Sequence, residues 1–138
     1  MSTRKKIVLV EDNLDDVRLT KLALENLAIP ADMVHCGNGE QLLNLLQTEP
    51  LSNISYILLD LNMPRMSGIE FLTKIKADEK LKYLPIIILT TSENRVDLLK
   101  CFEIGIAGYI IKPLKYEDYE SKLRKVFDYW EISELIKG

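Results

Sequence analysis

The sequence predicts a parallel α/β fold, a doubly wound sheet of five strands with helices on both faces. Three observations carry this. Five short apolar runs alternate with helical patterns along the chain, and that alternation is the mark of strand–helix–strand units. The runs are unbroken, as in Ile7–Val10 and Ile86–Leu89, which suits strands buried on both faces rather than a half-exposed antiparallel sheet. Most of them also end in a polar residue, and right-handed crossovers bring the carboxyl ends of such strands to one edge.

The elements follow in order. Ile7-Val8-Leu9-Val10 is the first strand and runs into Glu11-Asp12. Asn13 can cap the helix that follows, with Asp16 three residues on, and Val17 to Leu27 supply its apolar stripe before Pro30 closes the unit. Asp32 to Cys36 is a short second strand. Asn38-Gly-Glu-Gln41 resembles a capping box, after which Leu42, Leu43, Leu45 and Leu46 form a buried face. Pro50 to Asn53 is turn chemistry. The third strand carries Tyr56-Ile-Leu-Leu59 straight into Asp60 and is closed by Pro64. Ser67-Gly-Ile-Glu70 is a second capping box, opening a helix with Ile69, Leu72 and Ile75 on one face. Pro85 introduces the fourth strand, Ile86–Leu89, which ends in Thr90-Thr91-Ser92. A helix from about Glu93 to Glu103 stops at Gly105. Tyr109–Ile111 is the fifth strand, ending in Lys112-Pro113, and a last helix runs from about 116 to 136.

The totals narrow the function classes. With 138 residues the chain suffices for one domain, 1–138, with a real core. Apolar residues make up 47% and charged residues 28%, ordinary values for a soluble globular protein, and a net charge of -3 argues against nucleic acid or an anionic membrane as partner. No apolar stretch reaches membrane-spanning length and Met1 leads directly into charge, so neither a transmembrane helix nor a signal peptide is expected. Cys36 and Cys101 lack metal-binding spacing and fit a reducing, cytoplasmic setting as small hydrophobes. His35 stands alone and is assigned no role.

The strand ends collect Glu11, Asp12, Asp60, Thr90 and Lys112 at one edge. Three carboxylates side by side need compensation, and a hard divalent cation supplies it. Mg²⁺ suits one or two carboxylates, a carbonyl and a phosphate oxygen. A carboxylate nucleophile, a bound cation, a lysine and a hydroxyl are the parts needed to place a phosphoryl group on Asp60.

At these residues the chain resembles the receiver domain of bacterial two-component response regulators. The matching motifs are Val10-Glu11-Asp12-Asn13, Leu59-Asp60-Leu-Asn-Met-Pro64, Gly68, Leu89-Thr90 and Gly108-Tyr109-Ile-Ile-Lys112-Pro113, and the likeness covers roughly Lys5 to Val126. It implies a flavodoxin-like sheet of strand order 2-1-3-4-5. It implies a phosphoacceptor at Asp60, a direct Mg²⁺ ligand at Asp12, and Glu11 reaching the metal through water. Asn62 would coordinate through its backbone carbonyl, and Lys112 would pair with the phosphoryl oxygens. Thr90 and Tyr109 match the switch pair, and Pro113 matches a proline that follows a cis peptide bond, here Lys112–Pro113. Thr91 and Ile106 depart from the family pattern, where smaller residues are usual.

The resemblance implies that the chain catalyses only its own phosphorylation and dephosphorylation. Its donor is expected to be a sensor histidine kinase. Phosphate is expected to reshape the surface of the fourth helix, fifth strand and fifth helix and so alter contacts with a downstream protein. About 20 residues follow Lys115, enough for the last helix and no DNA-binding domain, so a stand-alone receiver is expected. Trp130, Ile132, Leu135 and Ile136 make the end of that helix more apolar than one buried face requires, and a homodimer interface is expected there. The Asn13-Leu-Asp-Asp-Val-Arg18 start and the tryptophan near the end resemble the single-domain regulators paired with phytochrome-type or hybrid kinases. Two alternatives stand beside this reading. One is a phosphorelay intermediate or phosphate sink with the same site. The other is an Mg²⁺-dependent phosphohydrolase with an aspartyl-phosphate intermediate, against which Asn62 stands where that class carries a second Asp.

Overall fold

The computed structural model describes residues 5–61, 63, 67–91 and 93–132. Strands and helices alternate as β1 (Lys5–Val10), α1 (Leu14–Asn26), β2 (Ala31–Cys36), α2 (Gly39–Thr48), β3 (Ile54–Leu59), α3 (Gly68–Ala77), β4 (Ile86–Thr90), α4 (Arg95–Ile104), β5 (Gly108–Ile111) and α5 (Tyr116–Ile132). Short 3-10 turns at Leu51–Asn53 and Leu81–Tyr83 lead into β3 and β4. All neighbouring strands pair in parallel, in the order β2-β1-β3-β4-β5. The expected doubly wound sheet is therefore the observed one.

Side chains alternate between the two faces of a strand, and the sheet uses this to build two cores. On one face Val8, Val10, Ile57, Leu59, Ile86 and Ile88 pack with residues of α2, α3 and α4, among them Leu42, Phe71, Leu72 and Cys101. On the other, Ile7, Leu9, Tyr56, Leu58, Ile87 and Leu89 pack with Val17, Leu24, Tyr119, Leu123 and Phe127 of α1 and α5. β3 is buried along its whole length, as its unbroken apolar run requires.

Local chemistry sets the helix ends. Asn13 Oδ1 accepts from the backbone N–H of Asp15 at 3.0 Å and of Asp16 at 3.1 Å, satisfying two donors that a helix start leaves open. Asn38 Oδ1 accepts from Gln41 N at 2.9 Å, and Ser67 Oγ from Glu70 N at 3.2 Å. The expected box at α2 is modified: Gln41 Oε1 reaches back to the N–H of Gly37, at 2.6 Å. Gly105 ends α4 with φ 115, a region that costs glycine nothing. On α3, Phe71, Leu72 and Ile75 are fully buried and Ile69 packs, partly buried, against the same core, so the expected face gains Phe71.

The last helix is observed to Ile132; its expected continuation to 136, with Leu135 and Ile136, and the strand-closing Pro64 lie outside the described residues. Among the described residues no helix is long and apolar enough to cross a membrane.

Candidate functional site

The ladder of the sheet carries the site residues to one edge. The backbone N–H of Glu11 donates to Cys36 O at 3.0 Å, and that of Asp60 to Val10 O at 3.1 Å. Lys112 N donates to Thr90 O at 2.8 Å. Each bond extends the strand pairing one residue beyond the strand itself. Glu11, Asp60, Thr90 and Lys112 are thus fixed at the carboxyl edge by hydrogen bonds of the backbone, where an open parallel sheet binds its ligands. Gly68, at the start of α3, closes the site from below. A Cβ there would stand 2.7 Å from the Asp60 carbonyl oxygen and from Leu61 Cα, so only glycine allows this approach of helix to strand exit.

The site is buried although it is charged: Glu11 is 2% exposed, Asp60 7% and Thr90 0%, while Asp12 faces solvent. Among the described residues no buried side-chain nitrogen or oxygen lacks a hydrogen-bond partner. One carboxylate oxygen from each of Glu11, Asp12 and Asp60 lies within 4.8 Å of the others. Oxygens on opposite sides of one Mg²⁺ stand roughly 4.2 Å apart, so this donor set fits a small hard cation with minor adjustment or an intervening water. Asn62, expected to add a backbone carbonyl, lies outside the described residues.

Lys112 Nζ crosses the site to Glu11 Oε1 at 2.5 Å and to Asp16 Oδ2 at 3.0 Å. Burial pulls its ammonium down, but the bond to Glu11 and the nearby charges of Glu11 and Asp60 overcome this and push it up to about 12. For Glu11 the balance falls the other way. Burial raises its carboxyl, the Lys112 bond lowers it, the neighbouring Asp60 raises it again, and it stands at about 7.

Glu11, Asp12, Asp60, Thr90 and Lys112 therefore share the carboxyl edge of the sheet, with two differences from expectation. There is no cis peptide bond among the described residues, so Lys112–Pro113 is trans, contrary to the sequence expectation. The lysine reaches Glu11 and Asp16 from the position directly after β5, where its backbone N–H donates to Thr90 O. The second difference is Asp16, which sequence reasoning treated only as a helix-start residue and which binds Lys112 directly. Its signal was its place in the first turn of α1, directly after Glu11-Asp12. His35 Nε2 stands 2.7 Å from the Glu11 carbonyl oxygen, a structural contact in keeping with its having been given no role.

Thr90 is enclosed at the end of β4, and Tyr109 on β5 is half-buried against the core on the α2–α4 face. At the far end of α5, Trp130 is partly core: its ring tilts over that of Tyr56 with centroids 6.2 Å apart. Ile132 is 83% exposed. Of the expected interface residues, Leu135 lies outside the described residues.

Comparison with known proteins agrees with this geometry. The family model of the response regulator receiver domain matches residues 7–124. The chemotaxis protein CheY of Pseudomonas aeruginosa is 30% identical over 123 residues, covering 89% of this chain and 96% of its own. Response regulator Rcp1 of Synechocystis is 32% identical over 132 residues, covering 91% and 88%. A solved Mn(2+)-bound form of response regulator Rcp1 superposes with a TM-score of 0.82 at 31% identity, covering 96% of this chain and 99% of that one. The phosphorylated cyanobacterial phytochrome response regulator RcpA superposes with a TM-score of 0.86 at 33% identity, again covering 96% and 99%. By its sequence, its strand order and the residues at its sheet edge, the chain belongs to the response regulator receiver domain family.

Proposed function

We propose that this receiver accepts a phosphoryl group on Asp60 and uses it to change its contacts with other proteins. The observation that carries the proposal is Asp60 itself, a buried carboxylate at the end of the fully buried β3, in a cluster with Glu11 and Asp12 and within the field of Lys112. An Asp60 carboxylate oxygen attacks the phosphorus of a phosphohistidine on the donor. The new P–O bond forms as the P–N bond breaks, and the electron pair stays on the ring nitrogen. With its other nitrogen protonated beforehand, the imidazole leaves neutral. Asp12, Glu11 through water, and the Asn62 carbonyl would hold Mg²⁺. Such a cation supplies positive charge against the phosphoryl oxygens. Lys112 adds its ammonium to those oxygens, and Thr90 adds its hydroxyl. The chain acts on no substrate beyond its own Asp60.

The switch follows from differential binding. Taking a two-state equilibrium from 1:99 to 99:1 requires about 5.5 kcal/mol, and one charge-assisted hydrogen bond contributes roughly 1.5 to 3 kcal/mol. About two to four bonds from Lys112, Thr90 and backbone amides, made only in the phosphorylated form, supply this. Thr90 is drawn inward and Tyr109 takes the space it leaves. The surface affected is α4–β5–α5, where Val96, Leu99 and Phe102 of α4 are exposed large apolar side chains. We assign a homodimer contact to this face, with Ile132 and Trp130 at its margin. RcpA is a cyanobacterial phytochrome response regulator, and on that ground the donor is taken to be a cytoplasmic sensor histidine kinase of the phytochrome or hybrid type.

The test is the intact mass of the protein after incubation with acetyl phosphate. The expected result is one labile phosphoryl adduct with Mg²⁺, absent with chelator and absent in Asp60→Asn. An adduct that persists in Asp60→Asn overturns the assignment.

A further inference from the structure

We infer that Asp16 is a positioning residue for Lys112 and sets the rate at which Asp60 takes a phosphoryl group. This rests on the reading of Lys112 given above and adds a residue to it. An ammonium has three N–H donors. Two are placed here, one on Glu11 Oε1 at 2.5 Å and one on Asp16 Oδ2 at 3.0 Å. The two acids are not equivalent. Glu11 belongs to the cluster with Asp12 and Asp60 that fits a cation, and its charge is divided between that role and Lys112. Asp16 stands outside the cluster, so its hold on the lysine does not depend on it.

Asp16 is anchored by its own helix. Its backbone N–H is capped by Asn13 Oδ1 at 3.1 Å. Its carbonyl oxygen accepts from the Thr20 hydroxyl at 2.8 Å, and that hydroxyl pairs in turn with the buried Tyr119 hydroxyl of α5. The first turn of α1 is therefore tied to α5 on one side and to the end of β5 on the other. Asp16 keeps the ammonium at the sheet edge with its third donor available for an oxygen on Asp60. The bonds to Asp16 and to a phosphoryl oxygen are compatible, because they use different hydrogens of one tetrahedral nitrogen. Removing Asp16 thus slows phosphoryl uptake rather than speeding it.

The experiment is a double-mutant cycle with Asp16→Ala and Lys112→Ala, and with Asp16→Asn as the milder variant that keeps shape and one acceptor oxygen. The rate of adduct formation from acetyl phosphate is followed by intact mass. In this reaction the P–O bond to the acetyl group breaks, acetate leaves with the electron pair, and Asp60 gains the phosphoryl group. One charge-assisted bond corresponds to roughly tenfold in rate. Asp16→Ala is expected to slow uptake by about that factor, Asp16→Asn by less, and Asp16→Ala to add nothing in the Lys112→Ala background. The melting temperatures of the same four proteins in chelator give a second readout, in which the two substitutions are expected to be less than additive. An unchanged rate in Asp16→Ala, or equal slowing in both backgrounds, overturns the inference while leaving the phosphoacceptor intact. Uptake unaffected by Lys112→Ala, or no adduct on the wild type, removes the reading of Lys112 and the inference with it.

Discussion

The two edges of this sheet handle charge in opposite ways. At the amino edge Lys6 and Lys76 each have partners of their own. Lys6 Nζ meets Glu49 Oε1 at 2.6 Å, Asn53 adds a bond to the same oxygen at 3.2 Å, and the Lys6 bond holds the Glu49 carboxyl below its usual range. Lys76, half-buried, donates to the carbonyl oxygens of Lys82 and Leu84 at 3.0 and 3.3 Å. At the carboxyl edge one ammonium is shared between Glu11 and Asp16, and Asp12 and Asp60 stand beside them. Acids outnumber bases in the most buried polar region of the molecule. Folding alone would favour the first arrangement, because unbalanced buried charge opposes the compact state. On the proposed function, the second is balanced from outside, by a cation or by a phosphoryl group meeting Lys112. The difference separates an edge that closes the fold from an edge prepared for chemistry.

Removing one base from each edge breaks or upholds this comparison. Lys112→Ala leaves Glu11 buried without its cation and is expected to cost about 3–5 kcal/mol in urea unfolding without divalent ions, with a smaller loss when Mg²⁺ is present. A loss no larger than that of Lys6→Ala, in either condition, would show the two edges to be electrostatically alike.

The second effect lies in the pH dependence. Glu11 titrates near 4.5 when unfolded and at about 7 when folded, so between those values the folded chain binds more protons. Stability then falls as pH rises from about 4.5 to 7, by roughly 3 kcal/mol for this one group. Glu11→Gln is expected to remove this fall, measured as the difference between the two unfolding curves across that window. Identical curves for both proteins would refute the assignment. The smallest effect belongs to the amino edge, where Lys6→Ala breaks a part-exposed pair and is expected to cost no more than about 1 kcal/mol.

Much of this was legible in the sequence. Four unbroken apolar runs and a fifth, mixed strand, each alternating with a helical pattern, foretold a parallel sheet, because period and burial are local properties of a strand. Asn13, Asn38 and Ser67 marked helix starts by cap chemistry that acts within three residues. That Glu11, Asp12, Asp60, Thr90 and Lys112 share one edge was legible because topology alone brings strand ends there, whatever the side chains do next. Asp16 was not legible as a partner of Lys112. Its bond spans 96 residues and depends on how α1 lies against the end of β5.

The end of α5 shows where the division falls. By itself the sequence determined that this helix carries more apolar side chains than one face can bury. Only the tertiary structure decided that Trp130 turns toward Tyr56 while Ile132 turns to solvent. Helical period places residues on a face, but the angle at which that face meets the sheet is fixed by packing against β3 and α1, and no local stretch of sequence contains it.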